Sequence, residues 1–553
     1  MNQIGQAKKR VTGKLKTTGG AKYAAEFAIA NVAHGFLTTS TIAKGRIINI
    51  DTKEAQALPG VIAIITHQNA PQLPFEPVPE TAWVNPGEIG QYPHTLHTDR
   101  IYFYAQPVAI AIAETLEQAE LAASLIGVQY QEESANVNIE RVIESQLVSF
   151  PDRPDRTRGN PEAAFSNAEV SIDANYVVPV EHHNPIEPHA TIAFWSGNKL
   201  TVYDKTQWVS SVRQQLSSAF GISKGAERIG WTGRNPQPRS MSENGLLIGY
   251  GMASATYPMN WRESVARVKI LQDGTAIVQS AASDMGPGTY TAMTEIASEF
   301  LGIPGDRIFF ELGNTNFPNA AVHGGSTTVT SVGSAVKAAC EQARTQALTL
   351  AQNTLFAATK SSDIKAQDER IFDRQNPTKS LSYREILSQA NQESIEAEAT
   401  AKPKEESPYS MHSFGATFVE VKIDEWLGKI DVTSVVSAVD VGRIINPKTA
   451  TSQIIGGVVG GIGMALLEDT YQDPRYGNYV NANLGEYLVP VNADIGDIEA
   501  IFCGEPDYNA NPLGARGIGE IAIVGIAPAI ANAVYHATGK RIRQAPITLD
   551  KLL

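Results

Sequence analysis

The amino-acid sequence predicts a mixed α/β protein that is divided into several domains. At 553 residues the chain is too long for a single hydrophobic core, so two to four domains are expected. Strand-like and helix-like stretches alternate along much of its length. Four glycine-rich segments precede helical patterns, an arrangement typical of α/β proteins that bind a cofactor. With 42% hydrophobic and 19% charged residues, the composition is that of an ordinary soluble globular protein.

The charge balance and the cysteine count exclude several classes of function. A formal net charge of -13 argues against nucleic-acid binding, which needs a basic surface. Cys340 and Cys503 are too few for a four-thiolate iron–sulfur or zinc site, so a redox metal must arrive with an organic ligand or on another subunit.

Neither a membrane span nor an export signal is expected from the sequence. The most apolar windows, such as "IIGGVVGGIGMALL", are short and rich in glycine. The start of the chain has basic residues but no apolar core behind them, which is not typical of a secretory signal. We therefore expect a cytoplasmic protein, or a periplasmic one if a partner subunit carries it out.

The first α/β unit is expected over residues 20–135. The segments "VIAIITH" and "QPVAIAIA" are typical of strands, and "TLEQAELAASLIGV" has helical spacing with an acidic start. The following stretch "FPDRPDRTRGNPEA" predicts a linker or surface loop because of its prolines and charges.

A second region is expected over residues 165–222. The segments "AEVSIDANYVVPV" and "ATIAFWSGNKLTVYDKT" predict strands, and "VSSVRQQLSSAFG" predicts a helix that ends at Gly221.

A larger α/β region is expected from about residue 246. "ESVARVKILQDGTAIVQSAAS" predicts a hairpin with Asp-Gly at its turn, whereas "TYTAMTEIASEFLG" and "SVGSAVKAACEQARTQALTLAQNTL" predict amphipathic helices. The polar stretch 360–408 is expected to be a solvated connection.

Four glycine-rich segments carry most of the chemistry that the sequence reveals. They are "SDMGPGTYT" (283–291), "HGGSTTVTSVGSA" (323–335), "QIIGGVVGGIG" (453–463) and "GARGIGE" (514–520). Glycines allow backbone N–H groups to approach an anion closely, and a following helix adds the positive end of its dipole. Turns and close helix packing are the alternative explanation for each segment taken singly.

The last segment contains a loose dinucleotide pattern formed by Gly517, Gly519 and Ala522. A nicotinamide site needs a strand directly before the loop, and "EPDYNANPLGAR" stands there instead. Glu520 has two open interpretations. An apolar run follows it, so desolvation would raise its pKa toward the range of a general base, or the carboxylate caps the start of a helix.

Two further motifs give weaker indications of function. "EHHNPIEPHA" (181–190) suggests a metal site, but its prolines exclude the helical HExxH geometry and favour a turn with buried histidines. The sequence has no G-x-S-x-G motif, so it offers no candidate for the nucleophilic serine of a hydrolase triad.

The motifs together resemble the large molybdenum-binding subunit of the xanthine dehydrogenase/aldehyde oxidase family. The resemblance covers nearly the whole chain and is strongest to bacterial aldehyde oxidoreductases whose redox parts are separate chains. It depends on five segments: "EHHNPIEPHA", "DMGPGTYTAMTEIA", "TTVTSVGSAV", "VDVGRIINPKTATSQIIGGVVGGIGMALLED" and "GARGIGEIAIVG".

The resemblance implies an N-terminal α/β hammerhead domain followed by molybdopterin-binding α/β domains, the first of them truncated. The implied boundaries are 1–140 for the hammerhead, 165–245 for a remnant of the first molybdopterin-binding domain and 246–553 for the second. It further implies molybdopterin cytosine dinucleotide with molybdenum, and 2Fe-2S clusters and FAD on partner subunits. The implied reaction is hydroxylation of an aldehyde or N-heteroaromatic substrate, with water as the oxygen source.

The resemblance also assigns site residues. Glu520 matches the catalytic base beside the metal, and no side chain is expected to ligate molybdenum directly. The positions that match cofactor-binding residues are Met285, Gly286, Gly288, Thr330, Ser331, Val332, Gly333, Gln453, Gly456, Gly457 and Gly519.

Two departures from the family pattern bear on activity. "FGISKGAERIGW" joins two flanks that in relatives enclose a domain-sized block with part of the cofactor cage and substrate pocket. Pro287 replaces a residue better able to form hydrogen bonds. The alternative function is therefore a catalytically impaired relative that keeps a cofactor-binding or subunit-assembly role.

Overall fold

The structure is a computed structural model that describes most of the chain. The described residues are 3–22, 31–70, 98–135, 160–181, 192–196, 199–203, 231–353, 363–367, 369–403 and 411–552, with the isolated positions 26, 29, 96, 228, 229, 356, 357 and 359. The predicted helix ending at Gly221, most of "EHHNPIEPHA", most of the predicted linker and most of the junction "FGISKGAERIGW" lie outside them.

The described helices and strands alternate along the chain. The helices are α1 (Gly13–Thr17), α2 (Lys53–Gln56), α3 (Leu116–Ser124), α4 (Pro161–Asn167), α5 (Thr289–Leu301), α6 (Thr328–Gln352), α7 (Tyr383–Gln389), α8 (Pro447–Leu466) and α9 (Ile521–Thr538). The first strands are β1 (His34–Thr39), β2 (Gly45–Asp51), β3 (Val61–Thr66), β4 (Arg100–Ile101), β5 (Pro107–Ala113), β6 (Gly127–Glu132), β7 (Ile192–Ser196), β8 (Lys199–Tyr203), β9 (Ser242–Glu243) and β10 (Leu246–Pro258). The remaining strands are β11 (Ser264–Leu271), β12 (Ala276–Gln279), β13 (Ile308–Glu311), β14 (Ile364–Gln367), β15 (Arg370–Asp373), β16 (Ser380–Ser382), β17 (Ser394–Ala401), β18 (His412–Asp424), β19 (Ile430–Asp440) and β20 (Asp497–Phe502).

The chain divides into two compact units. The smaller comprises residues 27–175 and 470–487, and the larger comprises residues 1–26, 176–469 and 488–553. Residues near the N-terminus therefore belong to the larger unit, although the sequence analysis placed them with the hammerhead. The hydrogen bonds explain why: the Gln3 N–H donates to Glu299 at 2.5 Å, and the Val11 N–H donates to the Thr291 hydroxyl at 3.2 Å.

The smaller unit contains two three-stranded sheets, with orders β1-β5-β3 and β4-β2-β6. Alternate residues of β5 are buried, and α3 covers the first sheet with its buried alanines. A capping box begins α3, because Thr115 accepts from the Gln118 N–H while the Gln118 side chain accepts from the Thr115 N–H. The two strands and the helix predicted for this region are confirmed.

The larger unit contains a sheet of order β13-β12-β11-β17 against which α6 packs, with α5 beside α6. The predicted hairpin is confirmed: β11 and β12 are antiparallel, and Gly274 occupies the turn at φ +85°. The two predicted helices are also confirmed as α5 and α6, and their small and apolar residues form a core with the sheet. The strands predicted in "ATIAFWSGNKLTVYDKT" are confirmed as the antiparallel pair β7 and β8.

A second sheet of the larger unit, of order β20-β19-β18-β10-β9, is covered by α9 with α8 beside it. The helix α9 lies very close to the sheet, since a Cβ on Gly251 would stand 1.9 Å from the carbonyl oxygen of Ala529. This sheet and its two helices form the second large core of the unit.

Two expectations for irregular and extended segments are wrong. Residues 360–408 are not a solvated connection, because their described part forms β14 to β17 and α7 and buries Ile371, Leu387 and Ile395. The predicted strand "AEVSIDANYVVPV" is also absent from the structure. Its apolar residues are exposed, with Val170 at 82% and Tyr176 at 72%, and only one isolated bridge joins Val177 to Gln544.

The segment "QIIGGVVGGIG" is the interior of α8 rather than a loop. Its glycines allow helix–helix contact, because a Cβ on Gly457 would lie 2.7 Å from the Ala522 Cβ. The helix begins at Asn446, whose side chain caps the Thr449 N–H, with Pro447 in the first helical position. Asparagine followed by proline is typical of a helix start, but the many glycines that follow made this helix hard to recognise in the sequence.

Two helices, α8 and α9, are long and apolar enough to cross a membrane by length and composition. The expectation that the most apolar windows are short is therefore wrong, whereas the expectation of no membrane span stays a prediction. In the structure the two helices contact each other, and α9 packs on β10 and β18, so their apolar residues contribute to the core of the second sheet.

Candidate functional site

A cleft of about 640 Å³ lies in the larger unit, where residues of all four glycine-rich segments meet. Volumes of this size are typical of small-molecule and cofactor sites. The lining residues are Met285, Gly286, Pro287, Gly288, Thr289, Ala292, His323, Gly324, Ser326, Thr328, Val329, Val441, Arg443, Ile444, Ile445, Asn446, Thr449, Ala450, Ser452, Gln453, Gly456, Ala515, Arg516, Gly517, Ile518, Gly519 and Glu520.

The loop before α5 forms one wall of the cleft. Asp284 holds this loop, since its carboxylate accepts from the Gly286 N–H at 3.2 Å and from the Thr289 hydroxyl at 3.2 Å. Gly286 and Gly288 have φ values of +112° and +105°, which L-residues rarely adopt. A Cβ on Gly286 would meet no atom within 4 Å, so its backbone faces open space.

A second wall is formed by the residues that lead into α6. His323 is buried, and its Nδ1 donates to the carbonyl oxygen of Ser283 at 2.6 Å. Burial lowers the pKa of His323, although the Ser283 carbonyl and the charge of Asp284 oppose that shift. A neutral imidazole with Nδ1–H engaged leaves Nε2 as a hydrogen-bond acceptor. The Thr328 hydroxyl is buried and has no hydrogen-bond partner among the described residues.

The first turns of α8 form the third wall. The Asn446 side chain caps this helix and also donates to Glu295 on α5 at 2.7 Å. Farther along the helix, Gln453 and Gly456 face the cleft, and a Cβ on Gly456 would meet no atom within 4 Å.

The segment before α9 brings Glu520 to the cleft. Glu520 is the N-cap residue, but its side chain makes no capping hydrogen bond, which argues against the interpretation as a helix cap. The carboxylate instead accepts a hydrogen bond from the Ser326 hydroxyl. Burial raises the pKa of Glu520, while hydrogen bonds from the Gly325 N–H and the Tyr257 hydroxyl partly offset the rise. The protonated form of this carboxyl group is therefore more favoured than in an exposed glutamate.

Some predicted cofactor-binding residues lie in the cleft and others do not. Those in its lining are Met285, Gly286, Gly288, Gln453, Gly456 and Gly519, together with Glu520. Those outside it are Thr330, Ser331, Val332, Gly333 and Gly457.

The residues outside the cleft have packing contacts that account for their positions. The Thr330 hydroxyl donates to the Asn260 carbonyl at 2.6 Å, and the Ser331 hydroxyl accepts from the Arg262 N–H at 2.9 Å. Val332 is fully buried, and a Cβ on Gly333 would lie 2.8 Å from Ile296 Cδ1. Thr330 to Gly333 therefore lie in the first turns of α6 rather than in a loop, and the preceding residues of the same segment form the wall, whereas their contact with a cofactor stays a prediction.

Sequence reasoning did not single out several residues of the site. Ser326 and Tyr257 contact Glu520, and two arginines, Arg443 and Arg516, line the cleft. Burial, with the nearby charge of Glu520, raises the pKa of Tyr257 to about 12. The Gly-Gly-Ser sequence ahead of α6 was a signal for Ser326, whereas Tyr257 lies on β10 and reaches Glu520 only through the fold.

Several polar contacts fix the position of Arg516. Its side chain is 8% exposed, pairs with Asp440 and donates to the His412 carbonyl at 2.7 Å. Its own N–H donates to the Val441 carbonyl at 2.7 Å, which ties the segment before α9 to the end of β19.

Side chains that could hold a metal by themselves are not grouped anywhere in the described part of the chain. No cluster of three His, Cys, Asp or Glu residues with that capacity is found there. Cys340 is buried and Cys503 is half-buried, and neither is in a disulfide.

Comparison with protein families covers almost the whole chain. Residues 18–134 match the aldehyde oxidase and xanthine dehydrogenase a/b hammerhead domain. Residues 144–229 and 224–496 match two molybdopterin cofactor-binding domain models. The chain belongs to the xanthine dehydrogenase and aldehyde oxidase family.

Relatives within this family include molybdenum-binding subunits. The chain is 28% identical to the aldehyde oxidoreductase molybdenum-binding subunit PaoC of Escherichia coli (strain K12), over 100% of this chain and 97% of the relative. That alignment runs over 740 positions, so the relative contains many residues with no counterpart in the 553 here. The aldehyde oxidoreductase of Megalodesulfovibrio gigas is 29% identical over 52% of this chain and 30% of its own length.

Solved structures show that the fold is that of this family. Quinoline 2-oxidoreductase from Pseudomonas putida 86 superposes with a TM-score of 0.82 at 18% identity, covering 100% of this chain and 98% of the other. The Cu,Mo-CO dehydrogenase superposes with a TM-score of 0.80 at 18% identity, covering 100% and 98%. The mixed α/β fold, with a hammerhead domain followed by molybdopterin-binding domains, is therefore confirmed.

Proposed function

We propose that this chain is the molybdenum-binding subunit of an oxidoreductase that hydroxylates aldehydes or N-heteroaromatic compounds with water as the oxygen source. The observation that carries the proposal is the position of Glu520 within the cleft formed by the four glycine-rich segments. Its half-buried, hydrogen-bonded carboxylate is the single acid in the cleft lining.

The cleft has features that suit a phosphate-bearing pterin. Three helices, α5, α6 and α9, begin at its edge, and none of them is capped by the side chain of its own N-cap residue, although Asp284 accepts from the Thr289 N–H at the start of α5 at 3.4 Å. Uncapped helix starts present N–H groups and a positive dipole end to an anion. The backbones of Gly286 and Gly456 face open space, and the buried Thr328 hydroxyl has no described partner. These groups would hold molybdopterin cytosine dinucleotide.

The bound cofactor would supply a redox-active molybdenum that accepts the electrons of the substrate. In this proposal the chain supplies the proton acceptor, which is the carboxylate of Glu520. Burial favours the neutral form of this carboxyl, and three hydrogen-bond donors oppose that preference. The apolar lining residues, such as Ile445 and Val441, would exclude water around it.

Electrons must leave through other subunits under this proposal. Two cysteines do not suffice for an iron–sulfur cluster on this chain, so 2Fe-2S clusters and FAD would lie on an iron–sulfur subunit and an FAD subunit. We propose a cytoplasmic location, with the periplasm as the alternative if a partner subunit carries the chain there.

A second candidate function is supported by the length of the alignment with PaoC. Its 740 positions against 553 residues here mean that part of the relative is missing from this chain. A protein without that part would retain a cofactor-binding or subunit-assembly role with impaired turnover, because catalysis needs a closed and preorganised site.

Metal analysis and turnover by one preparation separate the two functions. We expect about one molybdenum and one pterin per chain, with aldehyde-dependent dye reduction that falls by about 10²- to 10⁴-fold in Glu520→Gln, the loss typical of a missing general base. The same molybdenum content without dye reduction supports the impaired relative. Folded protein without molybdenum or pterin contradicts the enzyme and supports the impaired relative in a subunit-assembly role.

A further inference from the structure

Ser326 has a backbone conformation that serine rarely adopts. Its φ of +56° follows Gly325 at φ +60°, just before α6. For a residue with a Cβ, this left-handed conformation is strained, whereas glycine adopts it readily. A glycine would relieve the strain, so the serine side chain is expected to make a contact that offsets it.

The contacts of the Ser326 hydroxyl are both with Glu520. Its Oγ donates to the Glu520 carboxylate and accepts from the Glu520 N–H at 3.2 Å. The hydroxyl therefore fixes the carboxylate and the backbone of the same residue, which sets the direction in which the side chain leaves the start of α9.

The glycines before Glu520 make room for this contact. A Cβ on Gly517 would lie 2.6 Å from the Ser326 Cβ, and a Cβ on Gly519 would lie 3.1 Å from the Ser326 Oγ. The Gly-Ile-Gly-Glu sequence is thus explained by the close approach of the Ser326 turn, in addition to any approach to a cofactor.

We propose that Ser326 is a positioning residue, whose hydroxyl holds the Glu520 carboxylate in the orientation in which it accepts a proton. The assignment of a catalytic task to Glu520 rests on the proposed function, whereas the effect of Ser326 on the carboxylate does not. Ser326 itself transfers no proton to substrate.

Ser326→Gly removes the hydroxyl while it keeps the backbone conformation of the turn. Glycine adopts φ +56° without strain, so this variant keeps the turn and should have an unchanged or higher melting temperature. Removing a donor to the charged form should raise the pKa of Glu520. Infrared difference spectroscopy of the protein as purified measures that pKa, with the carboxylic-acid band assigned by its loss in Glu520→Gln.

Other charged and titratable groups near Glu520 are the same in both proteins. Tyr257 contacts the carboxylate from β10, and His323, Arg443 and Arg516 are the remaining ones in the cleft lining. Asn391→Gly provides a matched control, because Asn391 also has a left-handed φ of +51° and lies in the turn after α7. That control should leave the Glu520 titration unchanged.

The expected result in Ser326→Gly is a higher pKa of Glu520 and about a ten-fold lower kcat with little change in KM, as for a misoriented catalytic group. An unchanged Glu520 titration in the folded variant overturns the proposal, since a purely structural serine would give that result. A preparation without molybdenum contradicts the proposed function alone, because the infrared titration still reports on Ser326.

Discussion

Burial raises the pKa values of two carboxyl groups, Glu520 and Glu295, and the hydrogen-bond donors that oppose this rise differ in number between the two sites. Glu520 keeps three hydrogen-bond donors, whereas Glu295 on α5 is 2% exposed and has one described partner, Asn446. Burial raises the pKa of Glu295 to about 7, with the Asn446 hydrogen bond and the charge of Lys8 opposing the rise. Because Asn446 lines the cleft, the protonation of Glu295 is linked to the structure of the site.

The raised pKa of Glu295 predicts a pH-dependent stability. The folded state binds this proton more tightly than the unfolded state, whose pKa is about 4.3. The stabilising contribution is therefore present below about pH 4 and is lost as the pH rises through about 7. Glu295→Gln should remove a pH-dependent part on the order of 3–4 kcal/mol from the free energy of unfolding.

Denaturation between about pH 4 and pH 9 measures this effect. Glu341→Gln, at an exposed ion pair with Lys337 on α6, is the control and should keep the pH dependence of the wild type. An identical pH profile for wild type and Glu295→Gln would show that Glu295 does not titrate in this range.

At the scale of elements, the pair α8 and α9 depends on glycine for its close contact. A Cβ on Gly461 would lie 2.4 Å from the Ile526 Cβ, whereas a Cβ on Gly456, earlier in the same helix, would meet no atom within 4 Å. Close packing therefore requires glycine at position 461 but not at position 456.

This difference predicts opposite effects of the same substitution. Gly461→Ala should destabilise the protein by about 1–3 kcal/mol through overpacking. Gly456→Ala should stabilise it by about 0.5–1 kcal/mol, because alanine favours the helix. Chemical denaturation of both variants is the measurement, and equal stabilities would contradict the described packing of α8 on α9.

At the scale of the whole molecule, the proposed division of tasks among subunits rests on the small number of cysteines in the sequence. They are Cys340, whose pKa is raised by burial, and Cys503, which is half-buried. The chain therefore cannot complete an electron-transfer path with its own cysteines.

We expect the chain purified alone to carry no iron–sulfur cluster. Iron and acid-labile sulfide should both be absent, and the visible spectrum should lack the broad absorption of such clusters. A complex purified with its partner subunits should contain both, and stoichiometric iron on the isolated chain would contradict the proposed subunit arrangement.

Local patterns predicted many of the elements but not the extent of each. The alternation in "QPVAIAIA" and the Asp-Gly turn after β11 specify strands by themselves, because period-two burial and positive φ are local properties. The stretch 360–408 is polar in composition, yet Ile371 and Leu387 are buried by α6 and the neighbouring strands, which no local pattern reveals.

The sequence predicted several residues of the candidate site but not their arrangement in space. Glu520 and the glycines before it were identified from an acid at the start of an apolar helix. Thr330 to Gly333 were expected in the cleft but face the core, since their contacts come from β10's end and from α5. Tyr257 was missed because its distance to Glu520 in sequence hides their contact.

The sequence alone therefore determined the class of fold and the family, because both are recorded in local composition and in motifs with fixed spacing, and it predicted Glu520 as the acid of the site. Only the tertiary structure decided which glycines open a cleft and which allow helices to touch. The same structure brought Ser326 and Tyr257 to Glu520. The physical reason is that a hydrogen bond or a close contact depends on the distance between atoms, and chain folding alone brings residues from separate segments within that distance.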